Sequence, residues 1–206
     1  MIMIRGGPYN MAYVIKKTKS GIVLPYLPAE GQLKDGRKVI LEYYKDEDEA
    51  QVHAIMKYIV NEEGDCFPSE DLSNVEDFRA YYPLFDLFVC RDVTSGEVIG
   101  SLYVKPTFPG RSSHICNAGF AVKKSFRGKG MGRFLAGHYL QIARDLGFQA
   151  SLFRLVFASN EASVNLWRSM GFIETGRIPN AGYLRGRGLT DALQFYYDLT
   201  KIEKKV

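Results

Sequence analysis

Between residues 122 and 133 the chain reads VKKSFRGKGMGR, a run in which Arg127, Gly128, Lys129, Gly130, Met131, Gly132 and Arg133 follow one another. Glycines let a backbone turn tightly and bring its N–H groups against a phosphate, and a helix that starts there adds the positive end of its dipole. Arginine and lysine side chains supply full charges, so a pyrophosphate is the ligand this run suits. Two common anion loops do not fit. A Walker loop needs Gly-x-x-x-x-Gly-Lys-Ser/Thr, and a dinucleotide fingerprint needs a glycine where Arg133 stands. What remains is Arg-x-x-Gly-x-Gly, met by Arg127, Gly130 and Gly132. Charge placement agrees. Residues 98–144 hold no Asp or Glu but carry Lys105, Arg111, Lys123, Lys124, Arg127, Lys129, Arg133 and Arg144. Residues 46–77 are the reverse, with eleven acids and Lys57 as the one base. A basic stretch interleaved with glycine points to an anionic ligand.

A second cluster, NEASVNLWRSMGF (160–172), opens on Asn160, reaches Trp167 and closes on Gly171-Phe172. An indole N–H donates a hydrogen bond but is far too weak an acid to give up its proton, so Trp167 reads as a core aromatic.

These clusters need elements to hold them. LFVCRD (87–92) and VIGSLYV (98–104), joined across TSGE, read as a hairpin, and HICNAGFAV (114–122) as the next strand. Apolar residues spaced from Met131 to Ile142 predict a helix over 130–146, stopped by Gly147. LFRLVF (152–157) is a buried-type strand, 162–170 a short helix, and FIETGRI (172–178) and ALQFYYDL (192–199) the last strands. Upstream, VILEYY (39–44) is β-rich. Asp46 with Glu49 predicts a capped helix over 47–62, and Ser73 with Glu76 a second one ended by Pro83. Glycines and prolines punctuate residues 1–38, which read as an irregular N-terminal arm with one short strand; residues 39–206 form one domain. The fold class is α/β, a single mixed sheet with flanking helices.

Both clusters resemble signatures of the GNAT acetyltransferases: the pyrophosphate loop at 127–132, then an Asn at a strand end, a small residue, an aromatic and Gly-Phe at 160–172. The resemblance implies a mixed twisted sheet splayed between the strands at 114–122 and 152–157, with the amide arm of acetyl-CoA in the gap. Phe120 and Val122 would present backbone groups to it, residues 127–133 would hold the pyrophosphate, and Asn160 and Trp167 would stand beside the thioester. Many members carry Tyr where Trp167 stands, as general acid for the departing thiolate; here either Tyr139, Tyr183 or water does that work, or the thiolate leaves unassisted. From residue 98 onward, GSLYVKPTFPGRSSHICNAGF, LVFASNEAS, PNAGYLRG and YDLTKIE are similar to the fungal azetidine-2-carboxylate (proline-analogue) N-acetyltransferases. That implies a cyclic imino acid acceptor whose carboxylate is received by Asn117 and the Phe120 N–H, with Asn117 and Asn160 as the reaction-centre residues. The alternatives are a family member acting on another amine (a polyamine, an antibiotic or a protein N-terminus) and a non-catalytic acetyl-CoA-binding module.

Other features rank lower. His114 is a candidate base, and Cys116 a candidate acetyl carrier, though a strand cysteine is usually a small hydrophobe. Arg185-Gly-Arg187-Gly is too short a tract for nucleic acid. Phe78, Tyr81, Tyr82 and Phe85 fit either a substrate mouth or core. Hydrophobic residues at 46% and charged residues at 24% fit a globular chain, and no apolar run approaches a membrane span. Three separated cysteines give neither a disulfide framework nor a metal site. The expected setting is the cytoplasm, or the nucleus, without a secretory leader, metal, nucleic acid or membrane; a homodimer is compatible.

Overall fold

The computed structural model describes residue 15 and residues 19–206. Most of the expected N-terminal arm, including Gly6, Gly7 and Pro8, lies outside the described residues. An eight-stranded sheet runs in the order β1-β2-β3-β4-β5-β6-β8-β7. Its strands are β1 (Ala29–Gln32), β2 (Lys38–Tyr43), β3 (Asp86–Asp92), β4 (Val98–Pro106), β5 (Ile115–Val122), β6 (Ala150–Phe157), β7 (Ile173–Leu184) and β8 (Gly188–Asp198). Every neighbouring pair is antiparallel except β5 with β6.

Helices cover both faces. α3 (Met131–Asp145) is the crossover that a parallel β5–β6 pair requires, and α4 (Glu161–Ser169) lies on the same side. α3 buries Met131, Leu135, Tyr139 and Ile142, a stripe at helical spacing, against Phe88, Leu102, Val104 and Ala118. On the opposite face α1 (Glu49–Lys57) and α2 (Val75–Arg79) bury Val52, Ile55, Met56 and Phe78 against Val89, Val98, Tyr103 and Ala121. Alternate residues of β4 and β5 thus feed two separate cores.

Five expectations need correcting. The boundary after residue 38 cuts a hairpin: β1 pairs with β2 through Ala29↔Leu41 and Gln32↔Lys38, and Leu24 and Leu33 are core residues. Gly31, read as a break, is a close approach, because a Cβ there would stand 2.2 Å from Cε2 of Phe134 on α3. The helix at 47–62 is α-helical only over 49–57 and continues as a π-helical turn, Tyr58–Glu63. Its box lies one residue earlier than expected, at Lys45 and Asp48 instead of Asp46 and Glu49, with the Asp48 carboxylate accepting from the Lys45 N–H at 3.1 Å. The cap of α2 is Asn74, which accepts from the Glu76 N–H at 3.0 Å, and not Ser73. Finally, β7 runs on past residue 178 through Pro179, which a strand at the sheet edge tolerates at a register irregularity.

Candidate active site at the splayed strands

The parallel ladder between β5 and β6 consists of Ile115↔Ala150 and Cys116↔Ser151 and then stops. Beyond it the strands part, as the resemblance implied. Which backbone groups face the gap follows from alternation. Lys123 donates its N–H to Ile99 O on the β4 side at 2.9 Å, and Ile115 O accepts there from Thr107. Odd-numbered residues of β5 therefore bond to β4, and Ala118, Phe120 and Val122 turn their N–H and C=O toward β6. Two of these groups have partners: Ala118 donates to Asn117 Oδ1 at 2.8 Å, and Val122 O accepts from Arg127 Nε at 3.0 Å. Among the described residues the Phe120 N–H and C=O have none across the gap.

A cavity of about 280 Å³ occupies the gap, lined by Asn117, Ala118, Gly119 and Phe120 from β5, residues 153–157 from β6, and Asn160, Ser163 and Trp167 from α4. Gly132 at the start of α3 and Tyr81, Tyr103 and Lys105 from the other side complete it. A larger groove of about 610 Å³ between α1 and the ends of β4 and β5 is lined by Tyr58, Val98, Lys123 and Lys124 and includes Val122 but no other expected site residue. The smaller cavity, where the unpaired backbone is, is the candidate site.

Asn117 is held by its own strand. Its oxygen takes the Ala118 N–H, so both hydrogens of its amide nitrogen are left to the cavity. Asn160 caps α4, accepting the Ser163 N–H at 3.1 Å, and its side-chain oxygen is occupied by that bond. Trp167 is 4% exposed; its indole donates to Ser163 Oγ at 3.0 Å, and its ring packs on Phe120, Phe153 and Phe172. The indole is a wall of the cavity with its one donor already used.

In the glycine loop, Gly128 and Gly130 adopt positive φ (+74° and +91°), conformations that favour glycine, and Gly130 is the N-cap of α3 with no side chain to satisfy the first-turn N–H groups. That leaves a helix N-terminus open to an anion. The charged residues depart from expectation. Arg127 is turned away by a two-pronged pair with Glu63, at 2.8 and 2.9 Å. Lys129 is 3.4 Å from Asp35, and Arg133 donates to Ser169 Oγ at 2.7 Å. Met131 is 1% exposed and belongs to the core, so only its backbone can serve the loop.

Neither tyrosine proposed from the sequence as an acid lines the cavity. Tyr139 is fully buried, its hydroxyl 2.6 Å from Ser151 Oγ and 3.2 Å from Cys116 Sγ, and burial raises its pKa well above the ordinary value. Tyr183 is 82% exposed. Cys116 is fully buried and does not line the cavity, and burial pushes its thiol up to about 12, both against a role as acetyl carrier. Phe78, Tyr82 and Phe85 are core, whereas Tyr81 reaches the cavity. Arg185 and Arg187 are also used: the Arg185 N–H donates to Gly64 O at 3.0 Å, its guanidinium to Asn61 O, and Arg187 stands 3.8 Å from Asp65.

The sequence reading missed Lys105, Tyr103 and Arg154 in the cavity. The available signal was strand register: the hairpin from β4 to β5 sets Lys105 opposite Asn117 and Tyr103 opposite Gly119.

Comparison with known proteins agrees with this geometry. The family model described as "Acetyltransferase (GNAT) family" matches residues 52–172. N-acetyltransferase aca1 of Schizosaccharomyces pombe is 47% identical over 108 residues, 52% of each chain. Protein SPT10 of Saccharomyces cerevisiae is 31% identical over 111 residues, 53% of this chain and 17% of that one. The matched stretch thus spans about half or less of these relatives. Among solved structures, a GCN5-related N-acetyltransferase from Kribbella flavida superposes with a TM-score of 0.72 at 27% identity, covering 78% of this chain and 97% of that one. With the family model spanning more than half of its residues, around the same splayed strands and glycine loop, this chain belongs to the GNAT family of acetyltransferases.

Proposed function

We propose that the protein transfers the acetyl group of acetyl-CoA to the nitrogen of a small carboxylated amine, a cyclic imino acid such as azetidine-2-carboxylate or a proline analogue. The observation that carries this reading is the gap itself. It joins an unpaired Phe120 N–H and the Asn117 amide to a cavity whose lining holds Lys105 and Arg154 and, among the described residues, no Asp or Glu. An acceptor bearing an anion fits that lining; a polyamine does not. The acidic stretch 46–77 gives a cationic acceptor little, because Asp48, Glu49, Glu63 and Asp65 already face Arg91, Arg79, Arg127 and Arg187.

Acetyl-CoA fits the unpaired β5 backbone and the uncapped start of α3, and supplies an activated thioester carbonyl. The Phe120 N–H is placed to donate to the carbonyl oxygen as it gains charge. The Asn117 amide donates to the acceptor's carboxylate and sets the nitrogen over the reacting carbon, where orientation alone can be worth about 7–11 kcal/mol. With no carboxylate base in the lining, the acceptor nitrogen loses its proton to water. The Trp167 indole, tied to Ser163, shapes the cavity and transfers no proton. The biological role in this reading is detoxification of proline analogues.

Thioester consumption is the test, with azetidine-2-carboxylate and proline analogues beside spermidine and a peptide amine. Turnover of the imino acids above the other two is expected. Turnover of spermidine or the peptide alone would move the chain to another acceptor class, and acetyl-CoA binding with no turnover of any amine would make it a binding module.

A further inference from the structure

We propose that Lys105 is the charge that selects carboxylated acceptors, a residue to which neither the family signatures nor the comparisons assign a role. The inference rests on acetyl transfer at the splayed gap and names what that site recognises.

Register places it. Lys105 on β4 stands directly across from Asn117 on β5, and directly paired residues project from the same face of a sheet. That is the face of Tyr103 and Ala121, on the α1 and α2 side. The Lys105 ammonium is therefore presented next to the amide already placed to receive a carboxylate, and both residues line the same cavity.

The surroundings fit a charge awaiting a partner. Lys105 is half-buried. Its Nζ lies 4.6 Å from the ring centre of Tyr81, 5.5 Å from Phe85 and 6.0 Å from Tyr103, and donates to the Tyr81 hydroxyl. Aromatic faces hold an ammonium in place without neutralising it. An ammonium has three hydrogens, and Tyr81 takes one. Among the described residues no carboxylate comes within ion-pair distance of it, whereas Arg91, also half-buried, has both Glu42 and Asp48. Withdrawing a cation from water without a counter-charge is costly, and an entering carboxylate reverses that cost. A neutral or cationic amine gains nothing from Lys105 or is repelled by it.

The test compares paired acceptors. Azetidine-2-carboxylate and azetidine-2-carboxamide share ring and nitrogen and differ in charge. With acetyl-CoA saturating, the wild type is expected to favour the acid. Lys105→Met is expected to lower kcat/KM for the acid by about tenfold or more, mainly through KM, as loss of a charged hydrogen bond does. The loss on the amide should be several-fold smaller, so that the acid-to-amide ratio falls, while CoA affinity by calorimetry should hold and Lys105→Arg should keep more of the preference than Lys105→Met. An acid-to-amide ratio unchanged in Lys105→Met overturns the assignment, as does an equal loss on both acceptors. If the variant does not fold, the wild type alone decides. Cyclobutanecarboxylate should compete with the acceptor and cyclobutanecarboxamide should not; equal inhibition by both overturns the proposal. Failure here is separable from failure of the imino acid reading. If the wild type acetylates azetidine-2-carboxylate but Lys105→Met keeps its ratio, only the Lys105 assignment falls. If the wild type instead prefers an acyclic amino acid over its amide and loses that in Lys105→Met, only the cyclic acceptor falls. Turnover confined to amines lacking a carboxylate removes both.

Discussion

Gly119→Ala adds one carbon where Gly119 on β5 stands directly opposite Tyr103 on β4, behind the acceptor cavity. A Cβ at Gly119 would stand 2.3 Å from Cε1 of Tyr103, 2.6 Å from its Cζ and 2.7 Å from its hydroxyl. The neighbour is a ring, not the end of a flexible chain, and it has nowhere simple to go. Tyr103 is 8% exposed, with Tyr82 at 5.5 Å and Tyr81 at 5.9 Å between ring centres, both edge-on. Ring or strand must shift by about an ångström, and overpacking of this kind costs roughly 1–3 kcal/mol. At this chain length each kcal/mol moves the melting temperature by about 2–4 °C, so about 2 kcal/mol gives a drop of about 4–8 °C. Function should suffer in a defined way. Tyr103 and Tyr81 hold Lys105, and Asn117 is two residues from the substitution, so the acceptor KM should rise. CoA affinity should change little, because the glycine loop lies outside this contact. Thermal melting, calorimetry with CoA and an acceptor titration measure the three quantities. A variant melting with the wild type and showing its acceptor KM would refute the reasoning, since the ring would then have moved freely and would not be supporting the cavity.

Four further outcomes are expected. Gly132→Ala should fold normally, since its Cβ would meet Leu166 at an ordinary 3.5 Å, yet weaken CoA binding in calorimetry by crowding the backbone; unchanged affinity removes the loop from the cofactor site. Trp167→Phe should lose about 1–3 kcal/mol of stability through a void and a lost hydrogen bond but keep turnover within about tenfold; a fall beyond about 100-fold in kcat, with fold and CoA affinity intact, gives the indole a chemical role. Asn117→Asp keeps an acceptor for the Ala118 N–H but replaces two donors with a negative charge, so kcat/KM for imino acids should fall by about 10- to 150-fold while CoA affinity holds; wild-type rates would remove the carboxylate site. Cys116→Ala should turn over normally, and Cys116 in the folded protein should resist alkylation at pH 8, because it is fully buried and burial pushes its thiol up to about 12; loss of activity that tracks labelling of Cys116 would restore the acetyl-enzyme route.

What the sequence disclosed and what it hid divide by range. The turn-forming glycines of the loop, the stripe of α3 and the short helix that follows Asn160 are local patterns in which neighbours in sequence are neighbours in space, and the structure has them within a residue or so of where the spacing put them. Arg127 shows the limit. A run of bases around glycines looks free to bind phosphate, but Glu63, sixty-four residues earlier, takes both prongs of the guanidinium. Lys105 shows the same limit in reverse. Taken singly it is one base among many; its meaning comes from lying opposite Asn117, which depends on where a hairpin turns. Gly31 and Gly119 were legible as glycines but not as contacts, because the rings that need the space, Phe134 and Tyr103, arrive from other elements. Caps were misplaced at α1 and α2 because several adjacent polar residues could each have capped, and only the final backbone path chooses.

The site's location follows from the one parallel pair in the sheet. Antiparallel neighbours can be joined by a short turn, but β5 and β6 require a crossover, and α3 is that crossover. A crossover helix begins where the first strand ends, so the open N–H groups of α3 stand just past the carboxyl end of β5. The ladder stops at Cys116–Ser151, so the later half of β5 leads toward that helix start with its even-numbered backbone groups turned to the gap. A phosphate at the helix and an extended amide chain along the strand can therefore belong to one ligand, with its far end at Phe120. Asn117 and Lys105 lie on the α1 and α2 face of the strands, whereas Phe120 and Trp167 pack on the α3 and α4 side, so the two sides of the sheet meet only through the gap. In the proposed reaction the acceptor and the thioester would approach from opposite faces, with the splay letting nitrogen reach carbonyl carbon.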